Sequence, residues 1–329
     1  MASMTSLIRT VTDRILAGGS LERTEADELS RLQGSGRVDL LAAANRIRER
    51  FRGSAVDICS IVNARSGACS EDCRYCAQSS HYRTDAPVYG LIEPSQMQEA
   101  ARGAKESGAC RFCIVTSGRG IDDGQDLAGI ARGIGLVAGL GLSPCATLGT
   151  LTREQLGTLR DAGLRRYHHN IETSREYFPE VCTTHTFDER LELLRHARDL
   201  GLSVCSGGIL GMGESMADRV SMAFTLRELD VDSVPLNFLM PVAGTPLASV
   251  TPIAPFEALH AIALFRLILP AKEIRICGGR GTALGPYHPL IFLAGADGFM
   301  IGNYLTRTGL DPRTDLQVLD DLGLSIARP

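Results

Sequence analysis

The 329 residues are 44% hydrophobic and 22% charged, an ordinary balance for a globular chain with a large core. A net charge of −4 supplies no basic field for nucleic acid, and no apolar run reaches the roughly 18 residues of a membrane span. The opening MASMTSLIRTVTDRIL lacks the basic, apolar and small-residue order of a secretory leader, so the chain reads as cytoplasmic. Ten cysteines are too few to staple a chain this long, and disulfides are rare in a reducing compartment, so their positions carry the information.

Residues 1–50 read as a helical extension and 51–329 as one further domain. Leu7, Ile8, Val11 and Ile15 recur at helical spacing, and Glu25, Ala26, Leu29 and Leu32 predict a second helix. From residue 55 short β-branched runs alternate with amphipathic stretches. The predicted strands are 56–63, 111–117, 142–148, 166–172, 202–209, 233–239, 273–277 and 298–302. Capping boxes are expected at Ser95 with Gln98, Thr152 with Gln155, and Thr186 with Glu189. Helices are expected to end at Gly108, Gly141, Gly163 and Gly201. Eightfold strand–helix alternation predicts an α/β fold, a TIM-like (β/α)8 barrel, with a doubly wound open sheet as the structural alternative.

The segment Cys69-Ser-Glu-Asp-Cys73-Arg-Tyr-Cys76 follows the first strand. Three thiolates at this spacing can turn toward one centre. Structural zinc wants four protein ligands, and only His81 stands close enough to be a fourth. Three thiolates suit a [4Fe–4S] cluster with one open iron. With an aromatic before its last cysteine, the segment VNARSGACSEDCRYCAQSS resembles the radical S-adenosylmethionine superfamily and, within it, the biotin synthase family. The resemblance implies that Cys69, Cys73 and Cys76 hold the cluster that cleaves S-adenosylmethionine, with Tyr75 near the adenine. It extends from about residue 55 to the C-terminus.

Cys113, Cys145 and Cys205 fall in the second, third and fifth predicted strands, and inward positions of different barrel strands meet in layers. In Arg275-Ile276-Cys277 the arginine and the thiol share a strand face. A lone strand cysteine is ordinarily core. The biotin synthase resemblance in RFCIVTS, SPCATLGTL, SVCSGGILGMGES and EIRICGGR implies an auxiliary iron–sulfur cluster held by Cys113, Cys145, Cys205 and Arg275. In that family's pattern serine stands where this chain has Cys277. Cys277 is therefore expected to ligate the auxiliary cluster, as [2Fe–2S] or a variant.

In RYHHNIE, His168, Asn170 and Glu172 share one face and Tyr167, His169 and Ile171 the other. The polar row is expected inside, with Glu172 ending the strand at the barrel mouth. By resemblance Asn170 and Glu172 contact the ribose, with Asn170 also on the substrate side. His168 replaces a family asparagine beside the substrate, and Asn237 matches another. Arg190 matches an arginine that pairs with the methionyl carboxylate, and Ile209 borders the adenine. The function so implied is sulfur insertion at C9 and C6 of dethiobiotin, fed by a low-potential reductant of flavodoxin or ferredoxin type, in a homodimer. The alternatives are another radical enzyme on the same barrel, of hydrogenase-maturation or methylornithine-forming type, and a non-catalytic iron–sulfur carrier.

Overall fold

The alternation closes into a ring. In this computed structural model, which describes residues 2–327, the ring strands are β1 (Ala55–Arg65), β2 (Arg111–Thr116), β3 (Ser143–Thr147), β4 (Arg166–His168), β5 (Ser203–Cys205), β6 (Gly208–Leu210), β7 (Ser233–Phe238), β8 (Glu273–Ile276) and β9 (Gly298–Met300). All pair in parallel, and β9 pairs with β1, which rules out the open sheet. The predicted fifth strand is broken at Ser206-Gly207 into β5 and β6, both of which pair with β7 and act as one stave. Eight staves result. A short β10 (Ser325–Ile326) extends the sheet outside the ring beside β1.

Three helices, α1 (Ala2–Leu16), α2 (Arg23–Leu29) and α3 (Ser35–Arg52), precede the ring. Around it run α4 (Pro94–Glu106), α5 (Gly124–Gly139), α6 (Arg153–Asp161), α7 (Phe187–Asp199), α8 (Met216–Glu228), α9 (Pro255–Ile268), α10 (Arg280–Leu284) and α11 (Pro312–Asp321). α9 packs against α3, and every residue from Ala258 to Ile268 is buried. A helix buried all round needs cover on both sides, and the N-terminal helices supply the outer one.

Two expected capping boxes form, Thr152 with Gln155 and Thr186 with Glu189. The Ser95–Gln98 box does not. α4 starts two residues earlier, where Glu93 and Gln96 cap each other and Pro94 takes the first helical position, which suits its fixed φ. The four expected terminal glycines all adopt positive φ.

Candidate active site

The ring encloses a cavity of 410 Å³ with thiols at both ends. At its floor, strand register does the placing. Cys113 of β2 lies directly opposite Cys145 of β3, and Cys205 of β5 opposite His168 of β4. Cys277 follows β8 and also lines the cavity. The floor holds a fifth thiol, Cys59 of β1, clustered with Cys277 and Met300. Sequence reading missed it, although strand alternation puts it on the face of Asp57, Ile61 and Asn63. All ten cysteines are free.

Beneath these thiols three guanidiniums meet two carboxylates. Arg166 Nη1 donates to Glu273 at 3.0 Å, and Arg275 Nη2 donates to Asp57 at 2.6 Å and also to Glu273. Arg111 Nη2 lies 3.4 Å from the second Asp57 oxygen. Burial pushes the Glu273 carboxyl up, but Arg275 and Arg166 outweigh it and hold it well below the ordinary range. One positive charge is left over, and Nε of both Arg275 and Arg111 is buried with no partner among the described residues. A buried excess of positive charge beside five thiols suits an anionic, thiolate-ligated group. Four of these thiols couple in pairs, one of each pair drawn down and the other, Cys113 or Cys277, pushed well up. A hydrogen bond with Cys113 draws Cys145 down to about 6, and one with Cys277 draws Cys59 down to about 7, in each case against burial.

The mouth is built by side chains of loops. After β1, Gly67 and Ala68 take positive φ and turn the chain into Cys69–Cys76. Cys69 and Cys76 line the cavity, whereas the Cys73 thiol turns to Cys182, 3.7 Å away. The acidic pair between the cysteines ties the loop to the segment before α7. Asp72 accepts from the amides of Thr183 at 2.9 Å and Thr184 at 3.2 Å, and Glu71 from the Thr184 hydroxyl at 2.8 Å. Cys182 and its neighbours carry no sequence signal, because they meet the loop only through the fold.

Between floor and mouth stands the polar row of β4 and its extension. His168, Asn170 and Glu172 face the cavity as expected, while Tyr167 and Ile171 are fully buried on the other side. His169 also reaches the lining, and its Nε2 has no partner among the described residues. His168 Nδ1 lies 3.3 Å from Cys205 Sγ. Glu172 adopts φ +68°, a left-handed conformation uncommon for a residue with a side chain. Its carboxylate accepts from the Tyr75 hydroxyl at 2.9 Å and from Asn170 Nδ2 at 3.3 Å. Arg190 of α7 is buried. Its Nη1 donates to the Asn170 carbonyl at 2.5 Å and lies 3.6 Å from Glu172. Asn237 bridges Gly208 and Gly278 across the cavity wall, and Ile209 and Tyr75 both pack against the small cluster of Val181, Met212, Leu239 and Leu247. Gly207 and Gly208 are needed here, since a Cβ would lie 1.9 Å from the Pro235 carbonyl oxygen or 2.1 Å from that of Glu172.

Residues 64–226 match the Radical SAM superfamily, and residues 235–325 match the Biotin and Thiamin Synthesis associated domain. The biotin synthase of Geotalea uraniireducens is 49% identical over 325 residues, covering 98% of this chain and 99% of that one. That of Geotalea daltonii is 51% identical over 316 residues, 96% of each chain. Among solved structures, a methylornithine synthase superposes with a TM-score of 0.85 at 20% identity over 97% of both chains. A maturase of the [FeFe]-hydrogenase gives 0.81 at 14% identity, covering 97% of this chain and 75% of the other. At such identities these two likenesses establish the barrel fold, while the relatives near half identity establish more. The chain belongs to the biotin synthase family of the radical S-adenosylmethionine superfamily.

Proposed function

We propose that this cavity converts dethiobiotin to biotin, with S-adenosylmethionine at the mouth, sulfur held at the floor and the substrate between them. The observation that carries the reading is one cavity lined by Cys69 and Cys76 of the loop and by Cys59, Cys113, Cys145, Cys205 and Cys277 of the ring. Cys69, Cys73 and Cys76 would hold a [4Fe–4S] cluster, and Cys113, Cys145, Cys205 and Cys277 the auxiliary one. When bound, the first supplies reductive cleavage of S-adenosylmethionine to a 5′-deoxyadenosyl radical, and the second supplies sulfide. Arg275 is carried over from the family as a ligand; its ion pairs with Asp57 and Glu273 are made by Nη2, and the side chain lines the cavity floor. Cys277 lines the same floor and is the thiol this reading adds to the family's ligand set.

The chain's own residues bind, orient and exclude water. Glu172 and Asn170 take ribose hydroxyls, and Tyr75 and Ile209 flank the adenine. Arg190 presents N–H groups to the methionyl carboxylate, as a planar fork suits. His168 and Asn237 face the substrate. Ile61, Val115, Leu239 and Met300 supply apolar wall that shields the reacting atoms. A low-potential reductant of flavodoxin or ferredoxin type, a homodimer and a cytoplasmic setting complete the reading. Among the described residues no helix is long and apolar enough to cross a membrane.

The test is anaerobic rebuilding of the clusters, followed by S-adenosylmethionine, reductant and dethiobiotin. Biotin is expected, with about two deoxyadenosines per biotin because two C–H bonds are broken. Deoxyadenosine without biotin would overturn the substrate, and neither product would overturn the catalytic reading.

A further inference from the structure

We infer that His185 is a positioning residue that holds Arg190 in the orientation needed to take the carboxylate of S-adenosylmethionine, with Glu71 fixing its tautomer; this rests on the reading of Arg190 given above. His185 lies in the loop before α7, one residue ahead of the Thr186 cap. Its Nε2 receives two N–H groups of Arg190, Nε at 2.9 Å and Nη2 at 2.6 Å. A guanidinium can only donate, so the imidazole lone pair is on Nε2 and the proton on Nδ1. There the Glu71 carboxylate accepts it. Glu71 is itself anchored by the Thr184 hydroxyl and by Arg119 at 3.8 Å. Phe178 packs edge-on against the His185 ring and lies under the guanidinium.

Arg190 has five N–H groups. Nε–H and one Nη2–H go to His185, and one Nη1–H goes to the Asn170 carbonyl. One N–H on each terminal nitrogen remains, and Arg190 lines the cavity. A carboxylate in place of His185 would satisfy the same edge but cancel the charge. An imidazole fixes the plane and leaves the charge for a ligand. Glu172, at 3.6 Å, is the one carboxylate paired with Arg190 among the described residues, and it is shared with Tyr75.

The same histidine forms a donor group with Cys73 and Cys182 within 4.8 Å, which suggests a metal. The hydrogen bonds argue otherwise. With Nε2 occupied by Arg190 and Nδ1 protonated toward Glu71, the ring has no lone pair to offer. Glu71 stands between Cys69 and Cys73, so one hydrogen-bonded line runs from the cluster loop through His185 to Arg190.

The experiment compares the wild-type holoenzyme with His185→Phe and His185→Gln, measuring loop iron and sulfide, S-adenosylmethionine binding per loaded cluster, and deoxyadenosine formation. Phenylalanine keeps the ring against Phe178 but removes the acceptor, whereas glutamine retains an acceptor. In His185→Phe the Kd and KM for S-adenosylmethionine rise by about ten- to a hundred-fold, as expected for loss of a charge-assisted bond, with kcat at saturation little changed. His185→Gln recovers most of the affinity. Unchanged affinity in His185→Phe overturns the inference, as does equal weakening in both variants. Loss of loop iron from both also overturns it, since the imidazole would then serve the loop through Glu71. Failure of the wild-type holoenzyme to bind S-adenosylmethionine is a different result and overturns the reading of the mouth itself.

Discussion

The two ends of the cavity place their thiols by opposite means. At the floor, Cys59, Cys113, Cys145 and Cys205 sit on ring strands whose hydrogen-bonded register fixes them, above a buried network of Arg111, Arg166, Arg275, Asp57 and Glu273. At the mouth, Cys69, Cys73 and Cys76 sit on a loop held by the side chains of Glu71 and Asp72 against residues 183–185. A ring stave cannot shift without breaking its neighbours, whereas a loop yields when one carboxylate is lost. The lesson is that a floor thiol is replaceable without loss of shape, while the mouth depends on its supporting contacts.

The strongest break of that contrast is Cys73→Ala. It removes deoxyadenosine formation down to background and leaves the floor iron and sulfide in place, which metal analysis alongside product assay checks. Next is Cys277→Ser, which restores the family's serine with Arg275 still in place and is expected to change the spectrum and the iron and sulfide content of the floor while deoxyadenosine still forms. An unchanged floor spectrum would remove Cys277 from the ligand set. Arg275→Met tests the network under the floor. Arg111 still faces Asp57 and Arg166 still pairs with Glu273, so the loss of the Arg275 hydrogen bonds costs about 1–3 kcal/mol, read from denaturant unfolding of the metal-free chain. The smallest effect comes from Thr152→Ala on the outer wall. Loss of the α6 cap costs about 1 kcal/mol of global stability and moves neither end's iron content.

The mouth was legible in the sequence because its three cysteines lie within eight residues, whereas Cys182 and His185 reach them from more than a hundred residues away. The floor was legible in part. Cys113, Cys145, Cys205, Arg275 and Cys277 follow from strand alternation together with the family resemblance, and the same alternation applied to β1 would have found Cys59. The break in the fifth stave is not legible, since both halves read as β-branched or glycine-rich strand, and the close approach of Gly207 to Pro235 and of Gly208 to Glu172 is made across the fold. The sequence places the start of α4 two residues late because Ser95 is the stronger capping residue type, while Pro94 at the first helical position and the Glu93–Gln96 box decide the first turn.

The central claim is that mouth and floor are two independent metal sites sharing one cavity. The measurement is iron and sulfide content with Mössbauer spectra, after anaerobic rebuilding, of the wild type and two variants. One carries alanine at Cys69, Cys73 and Cys76, the other at Cys113, Cys145 and Cys205. Each variant is predicted to lose one component of the wild-type spectrum and to retain the other. Loss of both components from either variant, or a wild type with a single component, would contradict the account.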